Sequence, residues 1–578
     1  MKLHKSIILP IAALMLSACH DLDRNPLSSG STENWYSTET EVEMAVNDLY
    51  YIGYWQVDGQ NETDWSDDSY YRNTVTAFEN GTLNGQNQFV TRRWEMCYKA
   101  IAHANAVIEK SHRAIENGAS ATTINRLIGE AKFHRAAAYS KLIIKFGDVP
   151  LVLSDLDLEN AFDITRTPKK EVLTQIYADF DAAADVLPTS YAEAVRATKG
   201  AALALKARVA LIMGDWATAA KAAKGVMDLN IYELHDDFAN LFLSGTKVSK
   251  EFIFKIPRAV GYSGWSYGEH VDDWGYGQNA TYNAVTRTPG GWGAANPSWD
   301  LLAAFTCTDG LPIDESPLFD SHEPFKNRDP RLSMTIVPFG SEWMGYEFDP
   351  SPAAKEVMNY ATGKKVTNND SRINAQYASF NGLYWKKGID ATWMQNGWRV
   401  GADIIWCRYA EVLLTYAEAK IELNQIDESV IEALNKVRAR AYGVSVSDTG
   451  MYPAFTNVGQ DKLRQQLRVE RRMEMAKEGM RYTDITRWHL SEICMKRHNY
   501  GMLYPATDCL EQIVEKGEWF WPFAPDIDEN GLPDFTKLEA AGKIMVLSQR
   551  SWDPRQYLWP LPTTDIMIND KMTNNPGY

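Results

Sequence analysis

Residues 198–226 read TKGAALALKARVALIMGDWATAAKAAKGV, and their apolar periodicity fixes the architecture of the chain. Ala202, Leu205, Val209 and Ile212 recur at spacings of three and four, which places them on one face of a helix. Gly214-Asp215-Trp216 interrupts the run, and Ala219, Ala222, Ala223 and Val226 resume the period in a second helix. Small side chains at these positions let the two backbones approach closely, as in tetratricopeptide pairs.

The same form repeats outward from this pair. Residues 407–424 and 427–441 make a second pair turning at Asn424-Gln425, and 92–116 with 124–146 make a third that closes at Gly147 before Pro150. Residues 170–187 and 462–478 add further helices, so roughly eight helices in about four pairs are expected to stack into a continuous core. The expected fold is therefore mainly α, a tetratricopeptide-like helical scaffold carrying a large, irregular, loop-rich part. That scaffold is expected mainly over 92–240 and 405–490, with loop-rich segments at about 50–90 and 240–400. Within the latter, Glu251 to Ile256 alternates like a short strand. Residues 490–578 hold Trp552, Tyr557, Leu558, Trp559 and Leu561, too apolar for a disordered tail, so this end is expected to pack back.

At the other end, Lys2 and Lys5 precede an apolar stretch from Ile7 to Leu16, followed by Leu16-Ser17-Ala18-Cys19. A positive start, a short apolar run and small residues before a cut describe a secretory signal over 1–18. Cys19 at the first mature position resembles the bacterial lipobox, whose thiol is acylated. The expected organisation is thus a lipidated tether over 19–40 and a single domain over 41–578. The formal charge of −16 becomes −18 once Lys2 and Lys5 are removed with the signal, which takes no acid with it. That sign argues against nucleic acid, which needs clustered Lys and Arg. The cysteines other than Cys19 are widely spaced and contain no CxxC pair, so zinc and a dense disulfide framework are not indicated. Cys494 and Cys509 are read as buried thiols, a bridge between them being the alternative.

Several stretches, in order, resemble the RagB/SusD family of surface nutrient-binding lipoproteins from Bacteroidetes. They are Trp94 to Asn105, Gly129-Glu130-Ala131-Lys132-Phe133 running to Pro150, Asn327-Arg328-Asp329-Pro330-Arg331-Leu332, and Arg408 to Leu414. Glu470-Arg471-Arg472-Met473-Glu474, Glu478-Gly479-Met480-Arg481-Tyr482, Arg487-Trp488 and Tyr557 to Pro562 complete the set. The resemblance implies a lipid-anchored protein on the outer face of the outer membrane. Such a protein caps a TonB-dependent transporter of the SusC type, binds a glycan or in some members a peptide, and is not an enzyme.

Candidate sites follow from residue chemistry. A sugar presents a C–H face that stacks on a flat ring and a hydroxyl rim that takes carboxylates, amides and Arg. Two segments supply both: Trp65, Tyr70, Tyr71 and Arg72 in one, and Trp265, Tyr267, Asp272, Trp274, Tyr276 and Trp292 in the other. The resemblance places the family's ligand site on loops of these two regions. Glu470, Arg471, Arg472 and Glu474 mix signs at helical spacing and are read as a structural ion network. Gly264-Trp265-Ser266-Tyr267-Gly268 has the G-x-S-x-G form but lacks the adjacent strand and helix of a nucleophile elbow. Asp526, Asp528, Asn530 and Asp534 match half of a calcium loop; Lys537 at the twelfth place excludes an EF-hand and leaves a looser calcium site or a plain turn. No other cofactor is expected. The rival from another class is a secreted glycoside hydrolase with Asp67 and Asp272 as paired carboxylates.

Overall fold

The computed structural model describes residues 35–59, 63–72, 74–154, 162–191, 195–258, 282–395 and 401–578. Its scaffold runs through α1 (Glu39–Asp48), α2 (Gln88–Lys110), α3 (Ala121–Phe146), α4 (Lys169–Val186), α5 (Lys199–Ile212) and α6 (Trp216–Met227). It resumes with α7 (Tyr409–Glu422), α8 (Glu428–Ala441) and α9 (Gln460–Met475). From α2 to α8 each helix packs on the next, and α9 closes on α7. The expected mainly α fold is the observed one.

Local chemistry sets the boundaries. Thr198 caps α5 by accepting the Ala201 N–H at 3.1 Å, and Asp215 caps α6 by accepting that of Thr218 at 3.1 Å. Between them Gly214 turns the chain at φ +76°, and Gly147 ends α3 at φ +71°, a region that disfavours a Cβ. Ala202, Leu205, Val209, Ala222, Ala223 and Val226 are buried in one core with Phe133, Leu413 and Leu434 from neighbouring pairs. The C-terminal segment packs back as expected: Trp559 is buried, and Asn575 Nδ2 donates to the carbonyls of Phe146 at 2.9 Å and Trp559 at 2.7 Å.

The intervening part has its own core around Trp299, Leu332, Trp385, Phe520 and Trp521. Short antiparallel pairings organise it. Strand β1 (Ser69–Tyr71) pairs with β3 (Ala295–Pro297), and β2 (Phe252–Ile256), the strand expected from alternation, pairs with β8 (Ile404–Arg408). A four-stranded meander of β4 (Ser341–Trp343), β5 (Tyr346–Phe348), β6 (Glu356–Asn359) and β7 (Lys364–Thr367) replaces loop where the sequence suggested only punctuation. These strands are three or four residues long and mostly half-exposed, so they leave little alternation to read.

A seam of buried charge joins the two parts. Arg331, at the start of a short helix in the loop-rich part, binds Asp329 beside it and Glu470 and Glu474 on α9, at 2.7–3.0 Å. Arg408, Arg438, Arg440 and Lys387 extend the cluster to Glu251 and Glu478. Five cations meet five anions, all nine-tenths buried or nearly so. Burial opposes the charged form of Glu474, yet Arg440, Arg408 and Arg331 overcome it and hold its carboxyl well below the ordinary range. The mixed charges of α9 are thus a structural network.

Candidate functional site

Pairing of β1 with β3 brings the first expected site segment beside Trp292, the one residue of the second that is described. Tyr71 lies opposite Ala295, and the Arg72 N–H donates to the Ala294 carbonyl at 2.8 Å, so Arg72 emerges beside Trp292. The scaffold anchors this strand from behind. Arg472 of α9 binds Asp67 at 2.9 Å and Asp68 at 2.7 Å, and Arg481 grips Asp67 with two bonds of 2.8 Å. Ser298 adds its N–H to the Asp68 carbonyl at 2.9 Å.

Trp292 is presented by glycines. Pro289-Gly290-Gly291-Trp292-Gly293 turns so tightly that a Cβ on Gly291 would meet the Val285 carbonyl oxygen at 2.4 Å. Gly293, at φ +61°, has the Tyr384 hydroxyl 2.6 Å from where its Cβ would stand. The Trp292 N–H donates to the Tyr282 carbonyl at 2.8 Å, and the two rings stack with centroids 6.0 Å apart and planes at 25°. The Trp292 side chain stays 42 % exposed, and Tyr377 beside it 46 %. Arg72 lies between these rings, its Cζ 5.5 Å from the Trp292 centroid and 5.0 Å from that of Tyr377. Its Nη1 donates to the Tyr377 carbonyl at 2.5 Å and the Trp292 carbonyl at 3.3 Å. Arg287 approaches Trp292 at 5.5 Å and donates to its carbonyl at 3.1 Å. Exposed rings thus sit beside guanidinium groups, the two chemistries a sugar's face and rim require.

Among the expected residues, Tyr71, Arg72 and Trp292 converge here. Trp65 and Tyr70 require correction: each is 1 % exposed, and Trp65 stacks on Phe78 at 3.8 Å inside the scaffold core, so neither ring faces solvent. Both lie in a segment that alternates between core and surface, and burial of a large ring outweighs its exposure. Trp265, Tyr267, Asp272, Trp274 and Tyr276, the G-x-S-x-G stretch and Cys19 lie outside the described residues. Arg287 and Tyr377 went unread in the sequence, although glycines on both sides of Trp292 marked a loop built to display a ring.

Two of the alternatives read from the sequence lose support. As a catalytic acid Asp67 is excluded by its surroundings: burial works to raise its pKa, but Arg472 and Arg481 overcome this and keep it far below the range of a proton donor near neutrality. In the calcium candidate, Asp526–Ile527 pairs with Pro533–Asp534 as a small hairpin. Its carboxylates are engaged: Asp528 accepts the N–H groups of Asn530 at 2.9 Å and Leu532 at 3.0 Å, Asp534 accepts that of Thr536 at 2.9 Å, and Asp526 binds Lys537 at 2.5 Å. It is a turn, and no group of three metal-ligating side chains occurs among the described residues. Cys97, Cys307, Cys407, Cys494 and Cys509 are buried free thiols.

A second concavity of about 260 Å³ is lined by Phe89, Trp393, Asp58, Asp403 and Glu478. Its acids are already bound, Asp58 by Arg93 and Lys145, Asp403 by Lys247 and Lys255, and Glu478 by Arg408 and Lys387. Gln56, Asp64, Arg92, Arg258 and Lys477 also line it.

Stacked helices holding a loop-built face of rings define the class: a helical-scaffold protein with an irregular, ring-bearing part outside its repeats. The chain belongs to the SusD family, whose model matches residues 250–578. Residues 25–211 match a second model, described as starch-binding associating with outer membrane. The chain is 26 % identical to SusD-like protein P2 of Formosa agariphila, the match covering 98 % of each. A SusD-like carbohydrate-binding protein from Bacteroides fragilis is 27 % identical at a TM-score of 0.73, covering 93 % of this chain and 99 % of that one. A laminarin-binding SusD-like protein shares the fold at 20 % identity and a TM-score of 0.59, covering 94 % of this chain and all of that one.

Proposed function

We propose that this protein captures an oligosaccharide on the Trp292 face and serves as the lid of a SusC-like TonB-dependent transporter, held at the outer membrane by lipid on Cys19. The observation that carries this reading is the exposed Trp292 ring, presented by a turn with no room for a Cβ at Gly291 or Gly293 and flanked by Tyr377 and Arg72. Family membership, carbohydrate-binding relatives and the family description of outer-membrane association support it. Binding rather than cleavage fits the burial of Asp67 between two arginines.

Purified residues 20–578 incubated with a panel of glycans test the reading. Retention without shortened products is expected, and Trp292→Ala weakens it roughly tenfold, about 1.4 kcal/mol, without unfolding the chain. Unchanged retention by Trp292→Ala places the site elsewhere, and shortened products favour a hydrolase. Loss of fatty-acid labelling in Cys19→Ala tests the anchor, and co-purification of a barrel protein from membranes tests the partner.

A further inference from the structure

Most buried arginines among the described residues have carboxylate partners, as Arg135, Arg331, Arg408, Arg438, Arg440, Arg472, Arg481 and Arg487 do, while Arg328 is held by three carbonyl oxygens instead. At the Trp292 face the buried Arg72 and the half-buried Arg287 and Arg372 have no such partner. Arg72 bonds to two carbonyl oxygens and two ring faces, and Arg287 to one carbonyl and one ring face. Farther along lies Arg372, clamped between Phe380 at 4.0 Å and Tyr504 at 4.4 Å, with Tyr504 57 % exposed. Its Nε and Nη1 are buried without a hydrogen-bond partner. None of the three forms an ion pair among the described residues; the Asp370 carboxylate at this loop is taken up by the backbone N–H groups of Arg287 at 2.6 Å and Thr288 at 3.0 Å. Asp370 stands two residues before Arg372, so its bond to the Arg287 N–H ties the segment carrying Arg372 to the Trp292 loop.

Guanidinium groups held on ring faces and left uncompensated carry a desolvation cost in the free protein. An anion that meets them recovers it through charge-assisted, often bidentate bonds. A formal charge of −16 gives such an anion no general attraction to the chain, so the selectivity resides in these residues. Resting on the glycan reading above, we infer that the ligand is an acidic glycan, whose carboxylate or sulfate groups meet Arg287 and Arg372 while its sugar rings stack on Trp292, Tyr377 and Tyr504. Arg72, more deeply held by carbonyls, positions the Trp292 and Tyr377 backbones and adds positive potential behind them.

The test measures affinity of residues 20–578 for paired polymers that differ in charge alone: polygalacturonate against its methyl ester, and carrageenan against its desulfated form. Tighter binding of one charged member by at least about tenfold, weakened by added salt, is expected, and which pair responds separates carboxylate from sulfate. Arg287→Gln and Arg372→Gln should each remove most of that preference, lowering affinity for the charged member by more than for the neutral one; circular dichroism and melting temperature verify that both fold. Equal affinity for charged and neutral members, abolished in Trp292→Ala, overturns the acidic class and leaves the glycan reading standing. Binding indifferent to Trp292→Ala, or absent throughout, overturns both.

Discussion

Replacing Glu474 by Gln probes the charge seam between scaffold and loop-rich part. Glu474 is fully buried, its Oε1 accepting from Arg408 at 2.6 Å and from Arg440, its Oε2 from Arg331 at 3.0 Å. Gln keeps the volume but removes one anion from a cluster of five cations and five anions, and it turns an N–H₂ toward an arginine. The remaining unbalanced cation has no water to solvate it, and breaking a buried pair in this way costs about 3–5 kcal/mol. For a chain of 578 residues, an unfolding entropy of about 1.2 kcal/mol per kelvin converts this into a melting temperature about 2–4 °C lower. Urea unfolding followed by circular dichroism supplies the free energy directly. The double variant Glu474→Gln, Arg440→Met restores neutrality with four charges of each sign and should recover about 1 kcal/mol or more. The pH dependence has a definite sign. Because the folded carboxyl titrates below its unfolded value, its contribution is complete above the ordinary Glu range and disappears as pH falls through the folded value. The stability gap between parent and Glu474→Gln should therefore narrow in acid. A single variant within about 1 kcal/mol of the parent, or a double variant whose losses simply add, refutes a balanced network.

Gly291→Ala should lower glycan affinity severalfold and cost about 1–3 kcal/mol, since its Cβ would come within 2.6 Å of both the Val285 and Thr286 carbonyl oxygens; calorimetric binding and melting measurements check both effects. Trp65→Ala should destabilise by about 3–5 kcal/mol as a core ring stacked on Phe78, whereas Trp292→Ala should change stability by less than about 0.5 kcal/mol; parallel urea titrations distinguish the two. Asp64 gives a slope opposite to that of Glu474. Burial, reinforced by the Asp68 carboxylate, pushes its carboxyl up to about 7, so the stability it supports is present at acid pH and lost as pH rises toward 7. Asp64→Asn should flatten that slope by up to about 4 kcal/mol between pH 4 and 7, read from unfolding at a series of pH values.

The helical scaffold was legible because its apolar residues recur at helical spacing, even where a helix such as α7 is buried nearly all round. Ala202, Leu205, Val209 and Ile212 carry a 3.6-residue period that only a helix satisfies, and expected and observed helices agree to within about two turns. The pairing of the two site segments was legible only as composition. Rings and carboxylates were concentrated in both, but rings in the same segment met opposite fates: Trp65 and Tyr70 in the core, Tyr71 partly exposed on the face. Three-residue strands are too short for alternation to assign sides.

Residue order alone established the helix pairs, the signal-like start with Cys19, the acidic balance and the family resemblance, since each rests on local spacing or on motifs whose order along the chain is itself the signal. Tertiary structure assigned the rest. The antiparallel register of Ser69–Tyr71 with Ala295–Pro297 sets Arg72 against Trp292 across more than two hundred residues. The same packing determined which arginines received carboxylates and which were left on aromatic faces, because partnering of buried charge depends on contacts between segments that no local period encodes.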